Sequence, residues 1–261
     1  MVRPLGSVRL RSRVQNMADV TGLREALRAA TSLVVLTGAG ISAESGVPTF
    51  RSAGGLWRNY SPEKLATPEA FASDPRLVWE WYDWRRQVIR KAQPNAGHRA
   101  LVEFEKRLAA LPTGEGSFTL VTQNVDGLHD RAGSHEVLKL HGDIWLMRCA
   151  ACGASERNED VPLKELPPRC RCGRVQRPGV VWFGEALPEA EWERASQASA
   201  RTQMMMVVGT SAVVYPAAGL AELARAAGAK LAMINLEPTP LDCRADWVLS
   251  GRAGEILPRL L

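Results

Sequence analysis

The first residues whose types and spacing could bind a ligand form a glycine-rich turn after an apolar run at residues 32–36. Gly38, Gly40 and Ala43 fit the pattern G-x-G-x-x-G/A. In that pattern the first glycine permits a tight turn, the second lets the backbone approach a pyrophosphate, and the small third residue lets the following helix pack closely. The pattern alone fits a structural turn equally well. The acidic residue that dehydrogenases place about 20 positions later is missing, which disfavours a standard dehydrogenase.

Two further loops follow apolar runs, at residues 204–208 and 230–234, and could contact the same nucleotide. The residues of these loops that offer main-chain amides or polar side chains are Gly209, Thr210, Ser211, Asn235 and Glu237. Because open α/β sheets bind ligands at the carboxyl ends of their strands, the three loops together predict a nucleotide site at one sheet edge. Asn235 and Glu237 are the candidates for holding a ribose hydroxyl.

Four of the five cysteines lie close together in the sequence and could bind a metal ion. They form the pairs Cys149-x-x-Cys152 and Cys170-x-Cys172, which supply the four thiolates of a closed structural zinc site. Such a site has no open position for a catalytic water, so the zinc is predicted only to hold an insertion together. The alternative is a disulfide or redox pair. The fifth, Cys243, is predicted to be a buried, inert thiol.

Polar side chains also follow two shorter apolar runs, at residues 118–122 and 137–140. Asn124 and Asp126 come after the first run and could position an amide or a water, or cap a turn. His141 comes after the second run and is the candidate general base, because a neutral imidazole accepts a proton near pH 7. The other three histidines are weaker candidates: His98, His129 and His135.

These motifs need a scaffold that brings strand ends together. Residues 204–208, an alanine-rich segment at 217–227 and residues 230–234 form a strand–helix–strand unit, which requires a parallel sheet with helices on its faces. Residues 23–30 have helical spacing, and a Trp-rich region that ends near Lys91 predicts short helices and loops. The fold class is therefore α/β, a doubly wound parallel sheet that carries the cysteine segment as an insertion.

The composition of the 261 residues is that of a globular protein, with 46% hydrophobic and 23% charged residues. No run approaches the roughly 18 consecutive apolar residues of a membrane-spanning helix. The net charge of +5 suggests an acidic partner, but four arginines and no acid precede Asp19, which leaves +1 for the remainder. Residues 1–16 are predicted to be a disordered basic tail, with a transit peptide or a nucleic-acid-binding tail as alternatives.

Several stretches of the chain resemble the sirtuin family, the NAD-dependent protein lysine deacylases. They are GAGISAESGVPTFR at 38–51, TQNVDGLH at 122–129, LHGD at 140–143, the four cysteines, VVWFGE at 180–185, GTSAVVYPA at 209–217 and INLEPT at 234–239. These stretches occur in the family's order and span nearly all of the chain beyond the tail. The resemblance implies a Rossmann-like catalytic domain at 17–261 with a smaller zinc-ribbon-like part. Its large domain comprises 17–50, 92–145 and 178–261, and its small domain comprises a helical module at 51–91 and a zinc module at 146–177.

The resemblance also implies two cofactors, NAD and one structural zinc ion, and a set of NAD-binding residues. That set is Gly38, Ala39, Gly40, Ser42, Ala43, Thr49, Phe50, Arg51, Trp57, Gln123, Asn124, Val125, Asp126, Gly209, Thr210, Ser211, Asn235, Leu236, Glu237 and Ala253. In such enzymes the acyl-lysine oxygen attacks the ribose as nicotinamide leaves, and the products are free lysine, nicotinamide and O-acyl-ADP-ribose. Asn124 and Asp126 would hold the nicotinamide amide, and His141 would act as general base on a ribose hydroxyl.

Residues 180–185 are predicted to be a buried strand at the edge of the cleft. By the resemblance this strand binds the substrate peptide through main-chain hydrogen bonds. Its substrate-binding residues would be Val181, Trp182, Phe183, Gly184 and Glu185. Because main-chain recognition carries little side-chain information, we expect broad tolerance of substrate sequence.

Tyr82 and Arg85 are three residues apart and therefore share a face of a helix. Burying an unpaired guanidinium is costly, whereas a succinyl or malonyl chain supplies a carboxylate that arginine binds bidentately. The pair resembles that of sirtuins with desuccinylase and demalonylase activity, and Ala66 matches the small residue of their acyl pocket. The alternative places Tyr82 in the core and Arg85 in a surface salt bridge.

Two other functions are weighed against a deacylase. An ADP-ribosyltransferase with the same NAD site is the main alternative. A zinc-dependent nucleic-acid-binding module is the weaker one, because basic and aromatic residues should then surround the cysteines, yet that segment contains Glu156, Glu159, Asp160 and Glu165. We expect acylated lysines of proteins as partners, no membrane or nucleic-acid binding, a cytoplasmic location and a monomer.

Overall fold

The structure is a computed structural model that describes residues 13–49 and 62–261, with side chains for 19–49, 64–112 and 114–261. The helices in these residues are α1 (Arg13–Ala29), α2 (Ala39–Ala43), α3 (Pro62–Leu65), α4 (Pro68–Ser73), α5 (Pro75–Lys91), α6 (Ala96–Ala109), α7 (Leu128–Ala132), α8 (Glu189–Arg201), α9 (Gly219–Ala226) and α10 (Ala253–Ile256). The strands are β1 (Ser32–Thr37), β2 (Ser117–Thr122), β3 (Val137–Lys139), β4 (Gly142–Cys149), β5 (Ser155–Arg157), β6 (Gln176–Val180), β7 (Met204–Val208), β8 (Lys230–Asn235) and β9 (Trp247–Ser250).

Six parallel strands form the central sheet, in the order β3-β2-β1-β7-β8-β9. Every residue of β7 is buried, as the continuous apolar run predicts for a sheet covered on both faces. The chain adds β2 and β3 on one side of β1 and then returns to the other side with β7. This reversal makes a crevice at the carboxyl ends of β1 and β7, which is where open α/β sheets bind ligands.

Side chains alternate between the two faces of the sheet and so form two cores. Leu33 and Val35 point to one face, where they pack with α1, α6 and α10. Val34 and Leu36 point to the other face, where they pack with α8 and α9. The period of two along a strand explains the alternation, and the doubly wound fold class is confirmed. Within the described ranges, no helix has the combined length and apolar character that crossing a membrane requires.

The insertion contains a second, antiparallel sheet in the order β5-β4-β6, and α5 packs against it. A third core joins the two, with Trp79 of α5 and Trp145 of β4 among its buried side chains. The N-cap of α5 is Asp74, whose carboxylate accepts a hydrogen bond from the Leu77 amide at 2.9 Å. The third core therefore fixes α5, which carries Tyr82 and Arg85, against the cysteine-bearing sheet.

Some elements differ from the sequence predictions. The helix α1 begins at Arg13, so the last four residues of the predicted tail are helical, because no proline or glycine interrupts them, and residues 1–12 lie outside the described range. The helix α5 has 17 residues rather than being short, because a cap starts it and no glycine interrupts it. The strands β4 and β6 cross the predicted boundaries at 146 and 178. Pro178 disfavours a strand, but β6 lies at a sheet edge, where proline is tolerated.

Candidate active site

The carboxyl ends of the parallel strands bring the predicted loops together. The Gly38 amide donates a hydrogen bond to the Val208 carbonyl at 3.0 Å, which joins the loop after β1 to the end of β7. The Gly209 amide donates to the Ile234 carbonyl at 2.9 Å, which joins the loop after β7 to the end of β8. The sheet ladder thus continues into the loops and fixes their positions at the edge.

Glycines in the loops after β1 and β7 let the main chains of the two loops pack in direct contact. A Cβ atom on Gly38 would lie 2.6 Å from the Thr210 Cβ, and one on Gly40 would lie 2.7 Å from the Gly209 Cα. The Gly40 amide also donates to the Gly209 carbonyl at 2.7 Å. Close packing of two loops is therefore a reason for these glycines that the motif did not reveal. The prediction that Ala43 packs closely is wrong, since α2 ends there after five residues and leaves Ala43 exposed.

A buried amide and a buried carboxylate lie beside this contact. The Asp126 carboxylate accepts hydrogen bonds from the Ser42 hydroxyl and the Leu128 amide, both at 2.8 Å. The Asn124 side-chain amide donates to the Gly38 carbonyl at 3.0 Å and to the Ser42 hydroxyl at 3.3 Å. Ser42 is fully buried, so its hydroxyl orients the other two side chains. The Asn124 side-chain oxygen and the Asp126 carboxylate can accept the N–H groups of a carboxamide such as that of nicotinamide.

Two histidine rings lie behind this pair, with ring centroids 4.9 Å apart. His98 Nδ1 accepts a hydrogen bond from the Asn95 main-chain amide at 3.3 Å, so we assign the ring proton of His98 to Nε2. His98 Nε2 lies 3.4 Å from the Ser42 hydroxyl oxygen. His129 Nε2 lies 2.9 Å from the Thr37 hydroxyl. Burial lowers the pKa of His98 to about 4 and lowers the pKa of His129 well below its usual value. Both rings are therefore neutral at pH 7, and their contacts with Ser42 and Thr37 help to hold the site residues in place.

The electrostatics of Asp126 combine opposing effects. Burial raises the pKa of the Asp126 carboxyl, whereas the Leu128 amide, the Ser42 hydroxyl and the charge of Arg85 lower it. The Asp126 main-chain carbonyl also accepts a hydrogen bond from the Trp145 indole at 3.0 Å. Both the side chain and the main chain of this residue are thus held before any ligand binds.

His141 lies half-buried at the same edge, two residues after the end of β3 and directly before β4. Its Nδ1 is 3.0 Å from the Gln123 carbonyl oxygen. A carbonyl only accepts, so Nδ1 carries the proton and Nε2 keeps its lone pair. Burial lowers the pKa of His141, with the Gln123 contact opposing it, so the ring is neutral at pH 7. This geometry fits the predicted role of general base.

Several of the other predicted cofactor residues follow strand ends at the same edge. The Gln123 side-chain amide donates to the Thr210 hydroxyl at 3.2 Å, and the Asn235 side-chain amide donates to the Glu237 carbonyl at 2.7 Å. Leu236 and the Glu237 side chain are exposed. Ala253 is buried, and four residues are half-buried: Ala39, Thr49, Val125 and Ser211. The remaining three predicted residues lie outside the described ranges: Phe50, Arg51 and Trp57. The described amide and hydroxyl groups fit a nucleotide that binds across the edge.

Tyr82 and Arg85 share one face of α5, and both are buried, with 2% and 6% of their surface exposed. The Arg85 guanidinium carbon lies 4.8 Å from the Trp81 ring centroid and 5.8 Å from that of Tyr82. The Trp182 indole donates to the Tyr82 hydroxyl at 3.0 Å. Ala66 is buried in the same core. Because Arg85 is buried, the alternative that it forms a surface salt bridge is wrong.

The predicted strand at residues 180–185 is wrong beyond Val180, where β6 ends. The next residues form a turn in which the Glu185 amide donates to the Trp182 carbonyl at 3.1 Å. The Trp182 amide in turn donates to the Glu185 carboxylate at 2.8 Å. Gly184 has a φ of +85°, a conformation that interrupts a strand and favours glycine. The side-chain acceptor and the glycine together explain why this apolar segment does not remain extended.

The four clustered cysteines have the geometry of a zinc site. Their sulfurs lie within 4.8 Å of one another, with Cys149 and Cys172 3.6 Å apart and Cys152 and Cys170 3.8 Å apart. These distances exceed the S–S bond length of about 2.05 Å, so all four cysteines are free and no disulfide joins them. A tetrahedron with Zn–S bonds of about 2.3 Å has edges of about 3.8 Å. The amides of Cys152 and Ala151 donate to the Cys149 sulfur and lower its pKa to about 6, which favours the thiolate.

The fifth cysteine does not have the predicted environment. Cys243 is exposed rather than buried. It lies in a short helical turn, Asp242–Arg244, within the surface loop between β8 and β9. Its thiol donates a hydrogen bond to the Pro240 carbonyl at 3.5 Å. Loops between strands run over the protein surface, so Cys243 is exposed even though a thiol is apolar.

Arg177 is a site residue that the sequence analysis missed. Its guanidinium donates to the Glu185 carboxylate at 2.8 Å and lies with its central carbon 3.6 Å from the Trp182 ring centroid. An arginine within a largely apolar segment, eight residues before an acid, is a signal that could have identified it. Thr37 was also missed, and a threonine at a strand end carries no comparable signal.

The fold and these sites define a nucleotide-binding α/β protein that carries a structural zinc module. Residues 38–216 match the model of the Sir2 family. The chain belongs to the Sir2 family, the sirtuins, and the predicted resemblance is confirmed. The predicted cofactors, NAD and one zinc ion, agree with this family and with the four-cysteine cluster.

Similar proteins and structures cover almost the whole chain. "NAD-dependent protein deacylase 2" of Pyrobaculum aerophilum is 53% identical, over 94% of each chain. "NAD-dependent protein deacylase" of Thermus thermophilus is 54% identical, over 91% of this chain and 92% of that one. A solved Sir2 homologue–NAD complex is 46% identical, with a TM-score of 0.84 over 92% of this chain and 91% of that one.

Proposed function

We propose that this protein is an NAD-dependent protein lysine deacylase that removes acetyl groups and, through Tyr82 and Arg85, succinyl or malonyl groups. The products are the free lysine, nicotinamide and O-acyl-ADP-ribose. The observation that carries the choice of acyl group is the burial of an arginine beside a tyrosine on α5. The names of its relatives support the deacylase activity in general, without reference to the acyl chain.

NAD, when bound, supplies the ribose carbon that loses nicotinamide and accepts the acyl oxygen. Asn124 and Asp126 would bind the carboxamide of the bound cofactor, because the Asn124 side-chain oxygen and the Asp126 carboxylate can accept its N–H groups. Their hydrogen bonds to Ser42 fix both side chains in advance, so no reorganisation is needed at the moment of reaction.

His141 accepts the proton of a ribose hydroxyl at Nε2. Its Nδ1 proton is held by the Gln123 carbonyl, which sets the tautomer and the direction of the ring. Because burial keeps the ring neutral at pH 7, the lone pair is available without a prior deprotonation. General-base assistance of this kind typically contributes about 10²–10⁴-fold.

Arg85 and Tyr82 bind the terminal carboxylate of a dicarboxylic acyl chain. The guanidinium lies among aromatic rings, where a hydrogen bond to an anionic acceptor is stronger than in water. Ala66 leaves room for the longer chain. An acetyl group reaches the same catalytic groups but leaves the arginine without a substrate carboxylate.

The test compares acetyl-lysine and succinyl-lysine peptides of one sequence, with and without NAD. Arg85→Met should lower kcat/KM for the succinyl peptide by roughly 10–100-fold, because it removes charge-assisted hydrogen bonds, and should largely retain deacetylation. Arg76→Met is the matched control, since Arg76 lies on the same helix but forms an exposed ion pair with Glu80. Equal loss of both activities in Arg85→Met, or a wild type without succinyl activity, contradicts the acyl assignment.

Mass spectrometry of the products separates the deacylase from the alternative transferase. O-acyl-ADP-ribose is expected with each peptide, whereas an ADP-ribosyltransferase yields a modified protein or peptide. A cytoplasmic location and a monomeric state stay predictions from the sequence.

A further inference from the structure

Two groups that can only donate hydrogen bonds lie close to the Tyr82 side chain. The Trp182 indole N–H points at its oxygen from 3.0 Å, and the Arg85 guanidinium lies next to its ring. Neither an indole nor a guanidinium accepts a hydrogen bond. Among the residues whose side chains the structure describes, none accepts the Tyr82 hydroxyl proton. A phenolic O–H lies near the plane of its ring, so a donor on one side of the oxygen turns the proton to the other side.

Trp182 is held in place from several directions. The Arg177 guanidinium stacks on its ring, with the central carbon 3.6 Å from the ring centroid, and the Phe71 ring lies 5.2 Å away. The Glu185 carboxylate binds both the Arg177 guanidinium and the Trp182 amide, each at 2.8 Å. We call Arg177 and Glu185 the Trp182 clamp. The indole therefore has one orientation, and its N–H reaches Tyr82 from a fixed direction.

We propose that Trp182 is a specificity-positioning residue that acts through Tyr82. Its N–H occupies the acceptor side of the phenolic oxygen and so directs the one Tyr82 proton toward the terminal carboxylate of an acidic acyl chain. The inference rests on the proposed acyl class. An apolar acyl chain offers no acceptor to that proton and leaves a buried donor unsatisfied, so the fixed hydroxyl discriminates against it.

The experiment measures the ratio of kcat/KM for the succinyl peptide to kcat/KM for the acetyl peptide. Trp182→Phe keeps an aromatic ring but removes the N–H, and the ratio should fall by about 10-fold, as expected for a misdirected hydrogen bond to a charged group. Tyr82→Phe should lower the ratio at least as much. The double variant should match Tyr82→Phe alone, because a residue that acts through the hydroxyl has no effect once the hydroxyl is gone.

Trp192→Phe is the matched control, since Trp192 lies on α8 and packs against the core that α8 and α9 form with the central sheet, apart from α5 and Tyr82. Its ratio should equal that of the wild type. Should Trp182→Phe fail to fold, judged by its thermal transition, Glu185→Gln weakens the clamp instead and should lower the ratio in the same direction by a smaller factor.

The outcomes separate this inference from the proposed acyl class. If Arg85→Met lowers the succinyl-to-acetyl ratio but Trp182→Phe leaves it unchanged, the role of Trp182 is overturned and the acyl class is retained. Effects of Trp182→Phe and Tyr82→Phe that multiply in the double variant also overturn it, because the tryptophan then acts independently of the hydroxyl. A wild-type ratio that Arg85→Met does not change overturns the acyl class itself.

Discussion

Polar groups at the sheet edge find partners within the chain, whereas in the proposed acyl pocket the Tyr82 hydroxyl proton has no acceptor among the described side chains. At the edge, the Ser42 hydroxyl contacts the side chains of Asn124, Asp126 and His98, and all four side chains are buried. In the pocket, the Tyr82 hydroxyl receives a hydrogen bond from Trp182 and has no acceptor among the described side chains. Under the proposed function, the first arrangement serves every acyl-lysine, and the second selects among acyl chains.

This difference has a physical origin in the cost of an unsatisfied buried group. A buried donor that loses its partner costs about 1–3 kcal/mol. At the edge that cost is avoided before binding, which makes the geometry independent of the substrate. In the proposed pocket the cost depends on the acyl chain that enters, and this dependence is the basis of the proposed selectivity. Rate and selectivity should therefore respond to different substitutions.

His141→Ala should have the largest effect and should test whether the edge serves both acyl groups. Loss of the general base should lower kcat for acetyl and succinyl peptides alike by at least about 100-fold, with their ratio unchanged. Because burial lowers the pKa of His141 below 6.5, the acid limb of the wild-type pH–rate profile should lie below that value. His135→Ala is the control, since His135 is exposed. Substantial turnover by His141→Ala would sink the assignment.

Ser42→Ala should have the next largest effect, because it removes the hydroxyl that joins Asn124 to Asp126. We expect both activities to fall by roughly 10-fold through the loss of two buried hydrogen bonds, with a higher KM for NAD. The measurement is steady-state kinetics in NAD with each peptide. A change in the succinyl-to-acetyl ratio would mean that the two regions are not independent.

Cys170→Ser should have a smaller and more selective effect. Loss of a zinc ligand should lower zinc affinity by at least about 10-fold and loosen the zinc module. The module holds α5 through the Trp79 indole on the Gln176 carbonyl and through the Asp83 carboxylate, which accepts from the Leu163 amide at 2.8 Å. The succinyl-to-acetyl ratio should therefore fall, and the thermal unfolding midpoint should drop.

The matched control for that substitution is Cys243→Ser, which replaces an exposed cysteine outside the cluster. Its stability should stay within about 0.5 kcal/mol of the wild type, and its zinc content and both activities should not change. If Cys170→Ser lowers both activities equally while zinc is lost, the module supports the whole protein rather than the pocket.

The residues nearest to the strand ends could be predicted, because period and spacing are local properties. The apolar runs of β1, β2, β7 and β8 were located within a few residues, and parallel strands must present their carboxyl ends at one edge. His141 and Asn124 were placed there on that basis. The turn at 181–185 was mistaken for a strand because its apolar residues resemble one, while the Glu185 carboxylate that ends it is a side-chain partner that no pattern shows.

By itself, the sequence of this protein determined a parallel α/β sheet, the loops that could meet a nucleotide and a four-cysteine cluster, since each depends on residues close together in the chain. Only the tertiary structure decided what the individual side chains face. Ser42 is buried under Asp126, Gly40 touches Gly209, and Trp182 meets a tyrosine 100 residues earlier. Such contacts depend on how sheets and helices pack, which local patterns do not encode. The proposed selectivity for acyl chains therefore depends on the fold as a whole.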